Sequence, residues 1–211
     1  MANIFAPFGF AESHRLGAAP TYQMSKRWIN PASAVPIYFG DPVIQTSSGY
    51  VAQAAPAGQV SGVFAGCEYV SKAAKKIIWS PWWPGIPSDV VTGGQGFDVN
   101  AKVIDDPAIV FRVQANGQMT VGMIGLNATF TFGLAAVAAP GTNPAPNQMS
   151  GISNIALDIT QTVPAVTATL PFRIVDIIRD PPGVNGTDIT TPYSWAFVTF
   201  NNQDFKITTG I

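Results

Sequence analysis

The sequence predicts an all-β protein: a small barrel or sandwich of about ten short strands, an extended N-terminal arm, and at most one or two short helices. Three observations carry this. Short runs alternate apolar with polar residues, as in Phe97-Asp98-Val99-Asn100-Ala101-Lys102-Val103. Turn signals such as Ser47-Ser48-Gly49, Asp105-Asp106-Pro107 and Asn116-Gly117 separate those runs. Twenty glycines and eighteen prolines in 211 residues leave little room for long helices.

In chain order, residues 1–33 show neither period. Phe5, Phe8 and Phe10 stand among Pro7, Gly9 and Gly17. Such a terminus either drapes over its own domain or docks on a neighbour, and the expectation is an arm that gains order from a partner surface. Residues 34–211 read as one β domain. Strands are expected at 35–39 (edge-like, because of Pro36), 43–46, 50–53, 60–70 and 76–79. Gly62 and Gly66 mark a bulge or close strand crossing in the long run. A loop excursion covers about 79–96, where Pro81, Pro84 and Pro87 forbid regular structure. Strands follow at 97–103 and 109–114, then a helix-like turn at 120–126 weakened by Gly122 and Gly125. A second excursion at 133–151 is rich in Ala, Pro and Gly, and strands at 155–159, 166–178, 193–200 and 205–208 complete the sheet. Pro171 predicts a bend or edge in the 166–178 run. No internal repeat of fixed period is visible, which argues against a propeller or β-helix.

Composition narrows the chemistry. Charged residues make up 11% of the chain and hydrophobic ones 47%, with one histidine, one cysteine and a net charge of −1. A typical domain is about 25% charged. The Lys72, Lys75, Lys76 group is too short to serve as a nucleic-acid footprint, so no nucleic-acid partner is expected. No apolar run reaches the roughly 18 residues of a membrane span, and the first residues lack the pattern of a secretion signal, so synthesis in a cytoplasm is expected. Cys67 has no partner for an intrachain disulfide and reads as a small buried hydrophobe. His14 and Cys67 cannot close a zinc site, and Glu12 and Glu68 are the only glutamates. Gly93, Gly94 and Gly96 lack the Lys-Ser/Thr of a phosphate loop. Asn185-Gly186-Thr187 fits a glycosylation acceptor, which matters only in a secreted eukaryotic protein. No enzyme, cofactor or metal is expected.

Trp79, Trp82 and Trp83 are the feature with most functional weight. Rigid indoles supply large contact area at low entropic cost. Three readings stay open: they cap their own barrel, contact another subunit, or form a platform for sugars. The candidate contact residues are therefore Phe5, Phe8, Phe10, Arg15, Trp79, Trp82 and Trp83.

The opening Met1-Ala-Asn-Ile-Phe-Ala-Pro-Phe-Gly-Phe10, then Gly40-Asp-Pro-Val43, Gly62-Val-Phe-Ala-Gly-Cys-Glu-Tyr69, Trp79-Ser-Pro-Trp82, Asp105-Asp-Pro107 and Ala168-Thr-Leu-Pro-Phe-Arg-Ile174 together resemble tailed-bacteriophage virion structural proteins. Residues 40–66 resemble the small β domain of capsid decoration (cement) proteins. The resemblance implies a β-tulip-like fold and a place on the outer capsid surface of the virion. It also implies the major capsid protein as partner, often with a homotrimer at threefold sites, and no catalytic residues. Strand addition by the arm to a capsid sheet edge is one mechanism for such a clamp. Competing expectations are a carbohydrate-binding module built on the tryptophans, and a tail, connector or head-fibre component.

Overall fold

A computed structural model describes residues 3–16, 24–92, 99–132, 150–179 and 188–206. Residues 133–149 of the excursion expected at 133–151, residues 93–98, the 185–187 sequon and the end of the last expected strand lie outside them. The fold is all-β, with twelve strands in two six-stranded sheets and one 3-10 turn, Val121–Met123, among the described residues. The first sheet holds β2 (Met24–Ile29), β3 (Pro42–Gln45), β4 (Val51–Gln53), β5 (Gly62–Ser71), β6 (Lys76–Ser80) and β7 (Val99–Ile104). The second holds β1 (Ala11–Arg15), β8 (Ile109–Gln114), β9 (Asn127–Phe132), β10 (Ile155–Asp158), β11 (Phe172–Ile177) and β12 (Trp195–Phe200). No helix among the described residues is long and apolar enough to cross a membrane.

The first sheet closes on itself. Its order is β3-β4-β2-β7-β5-β6, and β3 also pairs with β5, so five strands form a barrel with β6 appended. The β2–β4 joint is one parallel pair, Ile29 with Val51. Alternation along β5 and β7 sorts the side chains: Phe64 and Val103 face the barrel core, while the Val63–Ile104 pair belongs to the core of the second sheet. The two sheets therefore share a wall. The second sheet curls in the order β1-β8-β12-β11-β9-β10, and Ala115 at the end of β8 meets Leu157 of β10 in a single parallel bridge.

The barrel and the curled sheet are one architecture used twice. If β2, β3, β4, β5 and β7 are matched in turn with β8, β9, β10, β11 and β12, chain order and spatial order agree in both. The register agrees as well. Val63 pairs with Ile104 and Ile104 with Met24; the counterparts Arg173, Thr199 and Val110 pair in the same way. Further along the same strand, at the same offset in each ring, Ile29 meets Val51 and Ala115 meets Leu157. Val51 then pairs with Gln45 as Leu157 pairs with Phe130. Back at the strand start, Pro42 pairs with Val63 as Asn127 pairs with Arg173, which closes both rings on the starting residue. Each ring carries a bulge on its fourth strand, between Phe64 and Cys67 in β5 and between Ile174 and Asp176 in β11. The repeat lies in topology, with unequal loops and no shared residue pattern, so no fixed period marks it in the sequence. β6 and β1 are the additions that differ.

Most expected strands are found, and both marked glycines do what their positions implied. Gly66 sits in the β5 bulge at φ +125°, and a Cβ on Gly62 would lie 2.5 Å from Val103 Cγ1. Three expectations change. The segment 35–39 makes only single bridges, at Ile37 and Phe39. The strand expected over 166–178 begins only at Phe172, because the Pro171 carbonyl accepts the Asn201 and Asn202 amides at a corner. The expected last strand is a turn at 204–206.

The N-terminal arm is the main correction. Residues 3–16 and 24–33 are part of the body, and β2 is one of the strands of the barrel, so no boundary falls at 33/34. Gly9 approaches Gly40 so closely that a Cβ would lie 2.7 Å from the Gly40 carbonyl oxygen, and that approach admits Phe10 to the core. Phe10 is fully buried and stacks on Phe172 at 4.1 Å. The buried Gln114 holds the same segment, accepting from the Ala6 amide at 2.8 Å and donating to the Ile4 carbonyl at 2.9 Å. Burial of the phenylalanines within their own chain supplies the ordering energy that a partner was expected to supply.

Candidate functional site

The tryptophan loop separates its three indoles. The Ile37–Trp83 backbone bridge pulls Trp83 into the barrel, where it is fully buried, donates from Nε1 to the Ser33 carbonyl at 3.2 Å and meets Tyr69 edge-on at 5.5 Å. Trp82 lies flat on Tyr38, with centroids 5.2 Å apart and planes 5° apart, and its edge crosses Gly151. The Ser80 hydroxyl and the Cys67 thiol both donate to the Trp82 carbonyl. Trp79 alone stands outward, 58% exposed at the end of β6. A platform of all three is therefore not formed: Trp82 and Trp83 close their own barrel, and Trp79 remains available.

The other expected contact residues divide in the same way. Phe5 packs on Tyr193 at 4.9 Å. Phe8 packs on Trp195 at 4.8 Å, with the Arg112 guanidinium 5.3 Å from its ring centre. Phe10 is core. Arg15, at the end of β1, pairs with Asp106 at 2.9 Å on a partly exposed site. Phe10 and Trp83 cannot touch a partner in this fold, and Phe5 and Phe8 offer only partial faces.

The register of the barrel assembles a group that the sequence did not announce. Trp28 of β2 pairs with Asn100 of β7, Asn100 with Glu68 of β5, and Glu68 with Trp79 of β6. Paired residues share a sheet face, so these four form one row across four strands on the outer wall. Trp28 is 36% exposed and lies under the Lys26 ammonium at 4.9 Å. Asn100 donates from Nδ2 to Glu68 Oε1, and its own buried Oδ1 has no hydrogen-bond partner. In the next row Lys26 pairs across the strands with Lys102, and among the described residues neither makes an ion pair. The alternation of Met24, Lys26 and Trp28 against Ser25, Arg27 and Ile29 was the signal that could have placed Trp28 outward.

Buried polar groups elsewhere serve the fold. Arg27 donates to Asp105 at 3.0 Å, Asp204 at 3.2 Å and Gln45 at 2.7 Å, tying the barrel to the segment after β12. Asp41 accepts from the Tyr38 amide at 2.9 Å and the Gln53 amide group at 2.8 Å. Burial pushes the Asp41 carboxyl up to about 6, against the lowering effect of these hydrogen bonds and one from Ser153. Burial, and then the Glu68 charge, push the Cys67 thiol up to about 12, which keeps it protonated. Burial, with Arg173 nearby, lowers the Lys206 ammonium, which donates to the Phe200 carbonyl. No cluster of three or more His, Cys, Asp or Glu side chains that could hold a metal occurs among the described residues. No family model, curated protein or solved structure matches the chain.

Proposed function

We propose that the chain is a structural virion protein that binds the outer capsid surface and cements neighbouring major capsid subunits, itself assembled as a homotrimer. The observation that carries this reading is adhesive surface on a charge-poor body. Ile4, Ile77, Trp79, Val163, Val166 and Phe205 are each 58–86% exposed in a chain that is 11% charged. Exposed apolar groups on this scale suit large contacts with other subunits, whose cores lose charge and gain aromatics. A barrel and a curled sheet sharing a wall supply the rigidity that a clamp requires. The segment resemblances to decoration proteins point the same way. The arm is not the gripping element in this reading: residues 1–20 contain Phe10 and β1, so deleting them attacks the fold itself. The exposed loop around Val163 and Val166 is the better lever. Purified protein added to heads assembled without it is expected to bind at saturating stoichiometry and to raise their resistance to heat. Val163→Asp with Val166→Asp is expected to abolish that binding while the isolated protein keeps its melting temperature. Heads that take up no wild-type protein discard the proposal.

A further inference from the structure

We propose that the outer wall of the barrel binds an oligosaccharide carrying an acidic group, along the row Trp28–Asn100–Glu68–Trp79. This goes beyond capsid binding and does not depend on it. The two exposed indoles stand at opposite ends of the row, three strand spacings apart, or about 14 Å. That separation suits a short chain of sugar rings lying across the strands with a ring against each indole, since sugar C–H faces pack on aromatic faces. Between the indoles lie two polar groups with capacity to spare. Asn100 is 6% exposed, and its unpartnered Oδ1 is an acceptor without a donor. A native fold seldom leaves such an atom orphaned, and a turn of the amide that brought it to the surface would let a ligand hydroxyl satisfy it. Glu68 takes one bond from Asn100 and retains further acceptor sites for hydroxyls. The acidic group follows from Lys26 and Lys102, like charges side by side in the row next to Trp28, with no carboxylate paired to them among the described residues. A carboxylate or sulfate on the sugar at Trp28 would relieve that repulsion. A few placed polar groups between apolar walls is the pattern of small-ligand sites.

The test uses the full-length protein on an array of neutral and uronic-acid-containing hexasaccharides, followed by titration of the hits with tryptophan fluorescence. Saturable binding is expected for acidic members, weakened at least tenfold by Trp28→Ala and by Trp79→Ala, and weakened by salt. Ile77→Ala, on the same hairpin but off the row, should bind as wild type. All three sites are exposed enough that the variants should fold, which circular dichroism will check. Absence of binding across the array, or binding that both tryptophan variants retain, overturns the proposal. So does concentration-dependent self-association lost in Trp28→Ala and Trp79→Ala, which would make this wall a protein interface. Head occupancy of the same variants is scored separately, so failure here leaves the capsid reading to its own test.

Discussion

The barrel and the curled sheet share strand order and register but are finished differently. The curled sheet is sealed: β1 covers the edge of β8 from Ile109 to Arg112, and six phenylalanines, Phe10 among them, fill its core. In the barrel the register-equivalent stretch of β2, from Met24 to Lys26, has no such strand among the described residues. Its core rests on Trp83, Tyr69, Phe64 and aliphatic residues, and its outer wall keeps Trp28, Trp79 and the lysine pair in solvent. The lesson is that one copy of a repeated fold can be given to stability while the other carries the surface chemistry.

The comparison breaks most sharply at the two aromatic plugs. Phe10→Ala and Trp83→Ala should each cost about 3–5 kcal/mol, measured as a shift in denaturant midpoint. Because Val63 and Ile104 belong to the barrel strands yet pack in the other core, both variants should still unfold in one transition. Two resolved transitions would show lobes that melt independently. A Phe10→Ala protein as stable as wild type would restore the free arm. Next in size is Arg27→Met, which leaves Asp105 and Asp204 buried without their cation and should lose about 3 kcal/mol.

Asp41 gives the pH lever. Its carboxyl rises from 3.8 unfolded to about 6 folded, so the native state binds the extra proton between those values. Stability from this group is therefore present in full below pH 4 and declines as pH rises through 6, by about 2–3 kcal/mol. Asp41→Asn should flatten that part of the pH profile of the unfolding free energy; an unchanged profile would mean the carboxylate is ionised at little cost. The smallest contrast lies in the two bulges. Gly66→Ala forces a side chain into φ +125° and within 3.0 Å of the Ser80 carbonyl, and should cost about 1–2 kcal/mol. Val175→Ala, at the matching bulge of β11, should cost less than about 1 kcal/mol.

What could be read from residues alone followed local physics. β7 and β8 alternate cleanly because each has one face in a core, and the prolines around Trp82 rule out a strand without knowledge of neighbours. β9, Asn127–Phe132, is missing from the expected strands although Ala128, Phe130 and Phe132 alternate with Thr129 and Thr131; its polar face is buried as well, as where Thr129 Oγ1 accepts the Ala57 amide. β1 and β2 are short and polar, and only their partners make them strands. The fates of the tryptophans depend on Tyr38, Ser33 and Gly151, and the Trp28–Trp79 row exists only once four strands are in register. The duplication is hidden because Pro42–Gln45 and Asn127–Phe132 occupy matching places with unrelated side chains. Backbone pairing preserves what sequence comparison loses.

A doubled fold would also change the arithmetic of the proposed assembly. In the proposed homotrimer, three copies would set six like-folded units around one axis. Because the two units have diverged, alternate units round such a ring would present different walls, one edged by β1 and one carrying Trp28 and Trp79.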